Sequence, residues 1–427
     1  MGLRLGGLRA VGIERELTQM EDRLQTRGEQ MLALRYARMA AAPAFFRGGF
    51  RPFFFAGPLW AIVALTLWLL ALAGAVQLPS AFEALAWHRH EMLFGFVGAV
   101  VGGFLLTAVP NWTGRLPIAG VPLAALFALW IAGRLALLFS AVIGVFAAAT
   151  IDVSFYLVLA TLAAREVLES RNRNLPVVGL IFLFGLVDAL DYLAASGWFG
   201  DADIPWKLAV SLVIILISLV GGRIIPSFTR NWLTKHGVRE HLPTQPGPVD
   251  LAVILITGLA FLAWMTGPKG WFTGSLFAAA AVAQFVRLAR WKGWKVIADP
   301  LVLILHVGYA WVPIGLALLA ASDLGAPVPR SAAVHALTAG AMATMILAVM
   351  SRATLGHTGR ELRASGLTQI AYLLITGGAI LRVAASLGLF EYRVGMEVAG
   401  CAWMGAFLLF LAVYGPILMS RRIDGKL

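Results

Sequence analysis

About twelve stretches of this chain run for about 20 residues each with almost no charge, and that repetition sets its solvent before any motif is read. A hydrocarbon core about 30 Å thick is crossed by about 20 apolar residues when each adds 1.5 Å of helix. Composition agrees: 60% of residues are hydrophobic and only 13% charged, against roughly 25% charged in a soluble domain. The expected fold is therefore all-α and polytopic, with the lipid bilayer as its principal partner and solvent.

A net charge of +12 would suit a nucleic-acid binder, but its distribution argues for membrane topology instead. With the N-terminus placed in the cytoplasm, most Lys and Arg fall on the inner side, among them Arg171, Arg173, Lys235, Arg239, Arg290, Lys292, Arg421 and Arg422. The outer loops keep a handful, such as Lys207, Lys269 and Arg330, and the loop with Asp201 and Asp203 is acidic. This positive-inside bias predicts a multi-pass protein with both termini cytoplasmic, and no nucleic-acid partner. Residues 1–45 carry no apolar leader and read as a cytoplasmic extension, helical from about Glu14 to Met39 and lying at the surface. The single cysteine, Cys401, lies inside the last apolar segment, so any metal must be held by His, Met or oxygen ligands.

An internal regularity divides the membrane domain, residues 46–422. The second segment leaves through Pro110-Asn111-Trp112-Thr113-Gly114-Arg115, the sixth through Pro226-Ser227-Phe228-Thr229-Arg230, and the tenth through Leu355-Gly356-His357-Thr358-Gly359-Arg360. At one common offset Thr113, Gly114 and Arg115 coincide with Thr358, Gly359 and Arg360, Gly95 with Gly340, and His90 with His335. We read three pseudo-repeats of four helices, about 50–170, 171–295 and 296–422. The shared Thr-Gly-Arg also has a purely structural account, because Gly ends a helix in the left-handed conformation, Thr satisfies a terminal carbonyl and Arg sits at the headgroups.

Ionisable side chains are expensive in a bilayer, so each is a candidate for function. Of the 7 histidines, His236 and His241 fall in a proline-rich loop and read as solvated. His88 and His90 open the second helix and His335 opens the tenth, so the three share one layer near the outer face and form a set suited to copper or another late transition metal. Residues two apart on a helix point about 200° apart. His88 and His90 thus meet at one ion only if the helix start is unwound; otherwise they serve two centres, or one of them supports the other. His306 and His357 lie toward the inner side, about 33 Å of helix separating His357 from His335. They predict a second site, for which axially ligated haem is the natural occupant, with Tyr309 one turn from His306 to donate a hydrogen bond or a proton. Packing or headgroup roles are the bland alternative for each of these histidines. Glu91, Asp152, Asp188 and Asp191 are the intramembrane carboxylates; Asp188 and Asp191 share a helix face and suggest a proton path, with Arg134 as a simple countercharge. Met342, Met345 and Met350 read as packing.

The run WHRHEMLFGFVGAVVGGFLLTAVPNWTGR, the FRPFF before the first helix and HALTAGAMATMILAVMSRATLGHTGR in the tenth resemble the NnrS family of bacterial membrane proteins, over most of the chain from about Phe46 to Tyr414. The resemblance implies a twelve-helix inner-membrane protein that carries haem, b-type, and copper and is associated with nitric oxide and denitrification. It also makes a helix arrangement like that of the haem-copper oxidases an expectation to test. The family's motif histidines correspond to His88, His90, His335 and His357.

Three functions follow as expectations. The first is a redox metalloprotein acting on nitric oxide, a nitric oxide reductase-like oxidoreductase, with copper on His88, His90 and His335, haem on His306 and His357, and Glu91 with Tyr309 managing protons. Its electron donor is not legible. The second is a non-catalytic haem or copper sensor, or a protector against nitrosative stress. The third is a secondary transporter, which twelve helices with internal repeats also fit.

Overall fold

The computed structural model describes residues 27–267 and 270–424. Within them 12 helices are long and apolar enough to cross a membrane. In chain order they are α1 (Phe50–Leu72), α2 (Ala84–Thr113), α3 (Val121–Leu138), α4 (Val145–Glu169), α5 (Leu175–Ala195) and α6 (Asp203–Lys235). There follow α7 (Pro248–Thr266), α8 (Trp271–Lys295), α9 (Pro300–Asp323), α10 (Arg330–His357), α11 (Gly366–Ser386) and α12 (Tyr392–Met419). No strand occurs among the described residues.

Short connections make sequence neighbours antiparallel neighbours in space, and α12 returns to pack on α1. α2, α6 and α10 lie toward the inside of this circuit: α2 touches α1, α4 and α6, α6 touches α5, α7, α9 and α10, and α10 touches α9, α11 and α12. Small residues let these inner helices approach their neighbours. A side chain on Gly98 would collide with the Tyr156 hydroxyl, and one on Gly340 with the Trp311 ring.

The inner helices α2 and α10 share a feature that the hydropathy pattern does not announce. Immediately after His90, α2 widens into a π-helical stretch, Glu91–Val97, and immediately after His335, α10 does the same over Ala336–Met342. The two stretches coincide at the offset that pairs His90 with His335. Such widening leaves backbone groups without their usual partners, and in lipid those groups must be satisfied by the protein itself. In α2 they are: the Tyr156 hydroxyl donates to the Phe94 carbonyl at 2.5 Å and Trp130 Nε1 to the Gly95 carbonyl at 3.1 Å.

The repeated exit motif resolves into two behaviours. Gly114 ends α2 with φ of 68° and Gly359 follows α10 with φ of 75°, both left-handed. Thr113 and Thr358 bond the carbonyls of Val109 and Thr354, four residues back. These are the structural roles the motif suggested. In α6, by contrast, the helix continues through Pro226 to Lys235, so the expected exit there lies inside the helix and Thr229 is free for another partner.

The expected N-terminal helix from about Glu14 to Met39 falls partly outside the described residues; the described part is helical over Arg27–Ala41. It is not simply solvated. Arg35 forms an ion pair with Glu166 near the end of α4, and Glu166 also receives Arg115 and Arg165.

Candidate functional site

A cavity of about 1040 Å³ opens at the end of the bundle where α2, α6, α10 and α12 begin. His88 from α2 and His335 from α10 both line it. His88 stacks on Trp68 of α1, ring centroids 4.0 Å apart and planes at 20°, and its Nδ1 is buried without a hydrogen-bond partner. His335 Nδ1 donates to the Ser331 carbonyl at 2.7 Å, which directs the ring and leaves Nε2 with its lone pair. Arg89, Lys207, Arg330 and Arg382 supply positive charge to the wall, with Glu83 and Asp203 on the acidic side. Three of these cations are partly spoken for: Lys207 pairs with Asp203 at 3.3 Å, Arg330 pairs with Asp323 at 2.8 Å, and Arg382 bonds Ser386 at 2.6 Å and the Tyr392 hydroxyl at 3.2 Å. Trp68, Trp206 and Trp403 give the wall its aromatic surface, and Met92 and Met342 join it from α2 and α10.

His90 faces the opposite way, as the rotation between residues two apart requires. It is fully buried between α2, α4 and α5. Its Nδ1 stands 2.8 Å from Asp191 Oδ2, and its Nε2 3.0 Å from Asp152 Oδ2 and 3.3 Å from Asp188 Oδ1. Arg134 bridges the cluster to Glu91, at 2.7 Å on that side, and forms a close ion pair with Asp152 on the other. Trp60 Nε1 donates to Glu91 at 2.6 Å and the Tyr192 hydroxyl to Asp152 at 3.0 Å. His90, Asp152 and Asp188 present ligand atoms within 4.8 Å of one another.

The expected outer trio is thus divided. His88, His90 and His335 share one end of the bundle, but only His88 and His335 share a cavity, and a three-histidine copper set does not assemble. Glu91 is not poised beside the cavity as a proton carrier; Arg134 and Trp60 hold it inside the buried cluster.

The inner pair does not come together either. His306 of α9 shares a hydrogen bond with Thr229 of α6 at 2.8 Å, and Gly293 backs onto its Nδ1 side. His357 at the end of α10 lies against Phe50 of α1, ring centroids 5.5 Å apart, and its carbonyl accepts from Arg422. The two face different neighbours, and neither lines the cavity. Tyr309 lies on α9 as expected but serves a separate buried network. Its hydroxyl donates to Gln284 at 2.6 Å and accepts from Arg287 at 2.9 Å, while Arg287 pairs with Asp250 at 2.7 Å.

Sequence reasoning singled out Arg134, Asp152, Asp188 and Asp191 but not their convergence on His90, and it read Arg330 as a loop charge without giving it or Arg382 a place in a site. The sequence signal for these arginines is positional: each lies within about two turns of a helix end on the layer of His88 and His335.

In comparison with known proteins, a family described as NnrS protein matches residues 44–422. No curated protein matches the chain.

Proposed function

Since the chain belongs to the NnrS family, a family of metal-binding membrane proteins, we propose that it is a haem protein of nitric oxide metabolism whose haem occupies the cavity lined by His88 and His335. The observation that supports this most is chemical: one cavity of about 1040 Å³, at the upper end of the usual small-molecule range, is lined by two imidazoles from two inner helices and by four cationic side chains.

The donors fit the group. His335 has the orientation typical of a ligating histidine, with one ring nitrogen donating to a backbone carbonyl and the other left over. His88 offers a buried ring nitrogen with nothing to bond. His88 and His335 would hold the iron, and Arg89, Lys207 and Arg382 would balance the charge of the haem carboxylates. Haem bound there would supply affinity for nitric oxide and one-electron chemistry. The protein's part is to bind and orient it: Trp68 fixes the plane of His88, the tryptophan surface would limit water, and the arginines would attract the charged groups of the haem. Nitric oxide, being small and apolar, reaches such a site through lipid.

Copper does not fit the trio expected for it, because His90 is engaged by aspartates, and no step is assigned to it. Glu91 and Tyr309 likewise lie in their own buried networks, so a reductase that draws protons through them is not the reading favoured here; binding or sensing of nitric oxide, or electron transfer, is. One observation speaks for transport instead: the cavity is open at one end and has charges of both signs on its wall, as a solute site would.

The test is an absorption spectrum of the detergent-purified protein, before and after anaerobic addition of nitric oxide. A Soret band that shifts on addition supports the proposal. Protein that carries no haem and takes none up from added hemin contradicts it and leaves the transporter reading.

A further inference from the structure

The buried cluster around His90 is a second centre, and its chemistry differs from that of the cavity. Four carboxylates, Glu91, Asp152, Asp188 and Asp191, meet one guanidinium, Arg134. Glu91, Asp152 and Asp188 are completely buried, where unbalanced negative charge is not tolerated without a compensating cation. Neither oxygen of Asp188 receives a hydrogen bond. A carboxylate cannot donate, so the 2.8 Å contact with Asp191 places the imidazole hydrogen on Nδ1. In the neutral ring His90 Nε2 is then an acceptor that faces Asp152 Oδ2 at 3.0 Å and Asp188 Oδ1 at 3.3 Å, so the contact needs either a proton on Nε2 or a bound cation to join them. One imidazole nitrogen and two carboxylate oxygens thus lie within 4.8 Å of one another.

We propose that His90, Asp152 and Asp188 bind one divalent first-row cation of the Mn²⁺ or Zn²⁺ class. Tetrahedral ligands held about 2.0–2.1 Å from such an ion stand about 3.3 Å from each other; the two contacts of His90 Nε2 are 3.0 and 3.3 Å, and all three ligand atoms lie within 4.8 Å of one another. The surroundings are those of a ligand set. Asp191 and His90 form the carboxylate–histidine pair that orients a metal-bound imidazole, and Tyr192 and Arg134 fix the Asp152 carboxylate. One imidazole with carboxylate oxygens selects manganese, iron or zinc and not a soft cuprous ion. Asp191 is the partly exposed member, its side chain 13% accessible.

The experiment is metal analysis of protein purified without chelator, followed by titration of chelator-treated protein with Mn²⁺ alone and with Zn²⁺ alone. About one equivalent of divalent metal per chain is expected, with at least a tenfold loss of affinity in Asp188→Asn and unchanged affinity in His357→Ala. Because Asp188→Asn alters a buried group, folding is read separately: the ion should raise the Tm of wild type and leave that of the monodisperse variant unmoved. If Asp188→Asn aggregates, the partly exposed Asp191→Asn should show the same loss. Wild type that neither carries nor takes up a stoichiometric divalent ion overturns the proposal, and so identifies a proton on Nε2 as the bridging charge. Stoichiometric copper at this site, or folded Asp188→Asn that binds as tightly as wild type, overturns it equally. None of these outcomes depends on haem in the cavity.

Discussion

Two histidines separated by one residue have opposite fates in this protein. His88 reaches the cavity and His90 the aspartates, and the sequence made that divergence legible, since any intact helix turns residues two apart away from each other. It did not tell which neighbour each would meet, because hydropathy carries depth and not the azimuth of a helix among its fellows. Arg134 was legible as a countercharge, and its pairing with both Glu91 and Asp152 gives a firm expectation. Replacing it by Met leaves two buried carboxylates without their guanidinium partner, so Arg134→Met should lower stability by roughly 3–5 kcal/mol, read as a loss of Tm in detergent. A variant as stable as wild type would mean that those carboxylates are already neutral.

At the scale of the element, the π-helical stretches of α2 and α10 are what the sequence concealed. Their residues are ordinary helix formers with glycine, and the widening depends on partners from elsewhere in the chain, notably Tyr156 and Trp130. Tyr156→Phe removes the donor to the Phe94 carbonyl and should cost about 1–3 kcal/mol, with changed exchange of the amides that follow His90; unchanged exchange would show that the stretch holds without it. The start of α12 offers a pH-dependent counterpart outside the membrane-spanning part. Glu391 accepts from the backbone N–H groups of Val394 and Arg393, at 2.6 and 3.0 Å, which hold its carboxyl below the ordinary value. A depressed folded-state pKa contributes stability above the unfolded value and loses it as pH falls through the folded one. Protection of the Arg393 and Val394 amides should therefore fall on acidification, and Glu391→Ala should show the low protection at neutral pH.

For the whole molecule, the count of spans was legible because a bilayer demands a fixed length of apolar helix, and the described residues contain 12. The shared end of His88 and His335 was legible too, since both open helices that run the same way, and both line one cavity. Helix adjacency was not: it places α6 beside both α2 and α10, carries His306 to Thr229 and His357 to Phe50, and so separates a pair that depth alone allowed to share a cofactor. The charge distribution predicts both termini in the cytoplasm; a C-terminal fluorescent fusion should fold and fluoresce there, whereas a C-terminal fusion active only in the periplasm would reverse the orientation. The central claim is that the cavity between α2 and α10, and not the region of His306 and His357, is the haem site. Haem per chain in four purified variants tests it most directly. The account predicts that His88→Ala and His335→Ala each lower haem content severalfold while His306→Ala and His357→Ala retain the wild-type amount; loss confined to His306→Ala or His357→Ala would contradict it.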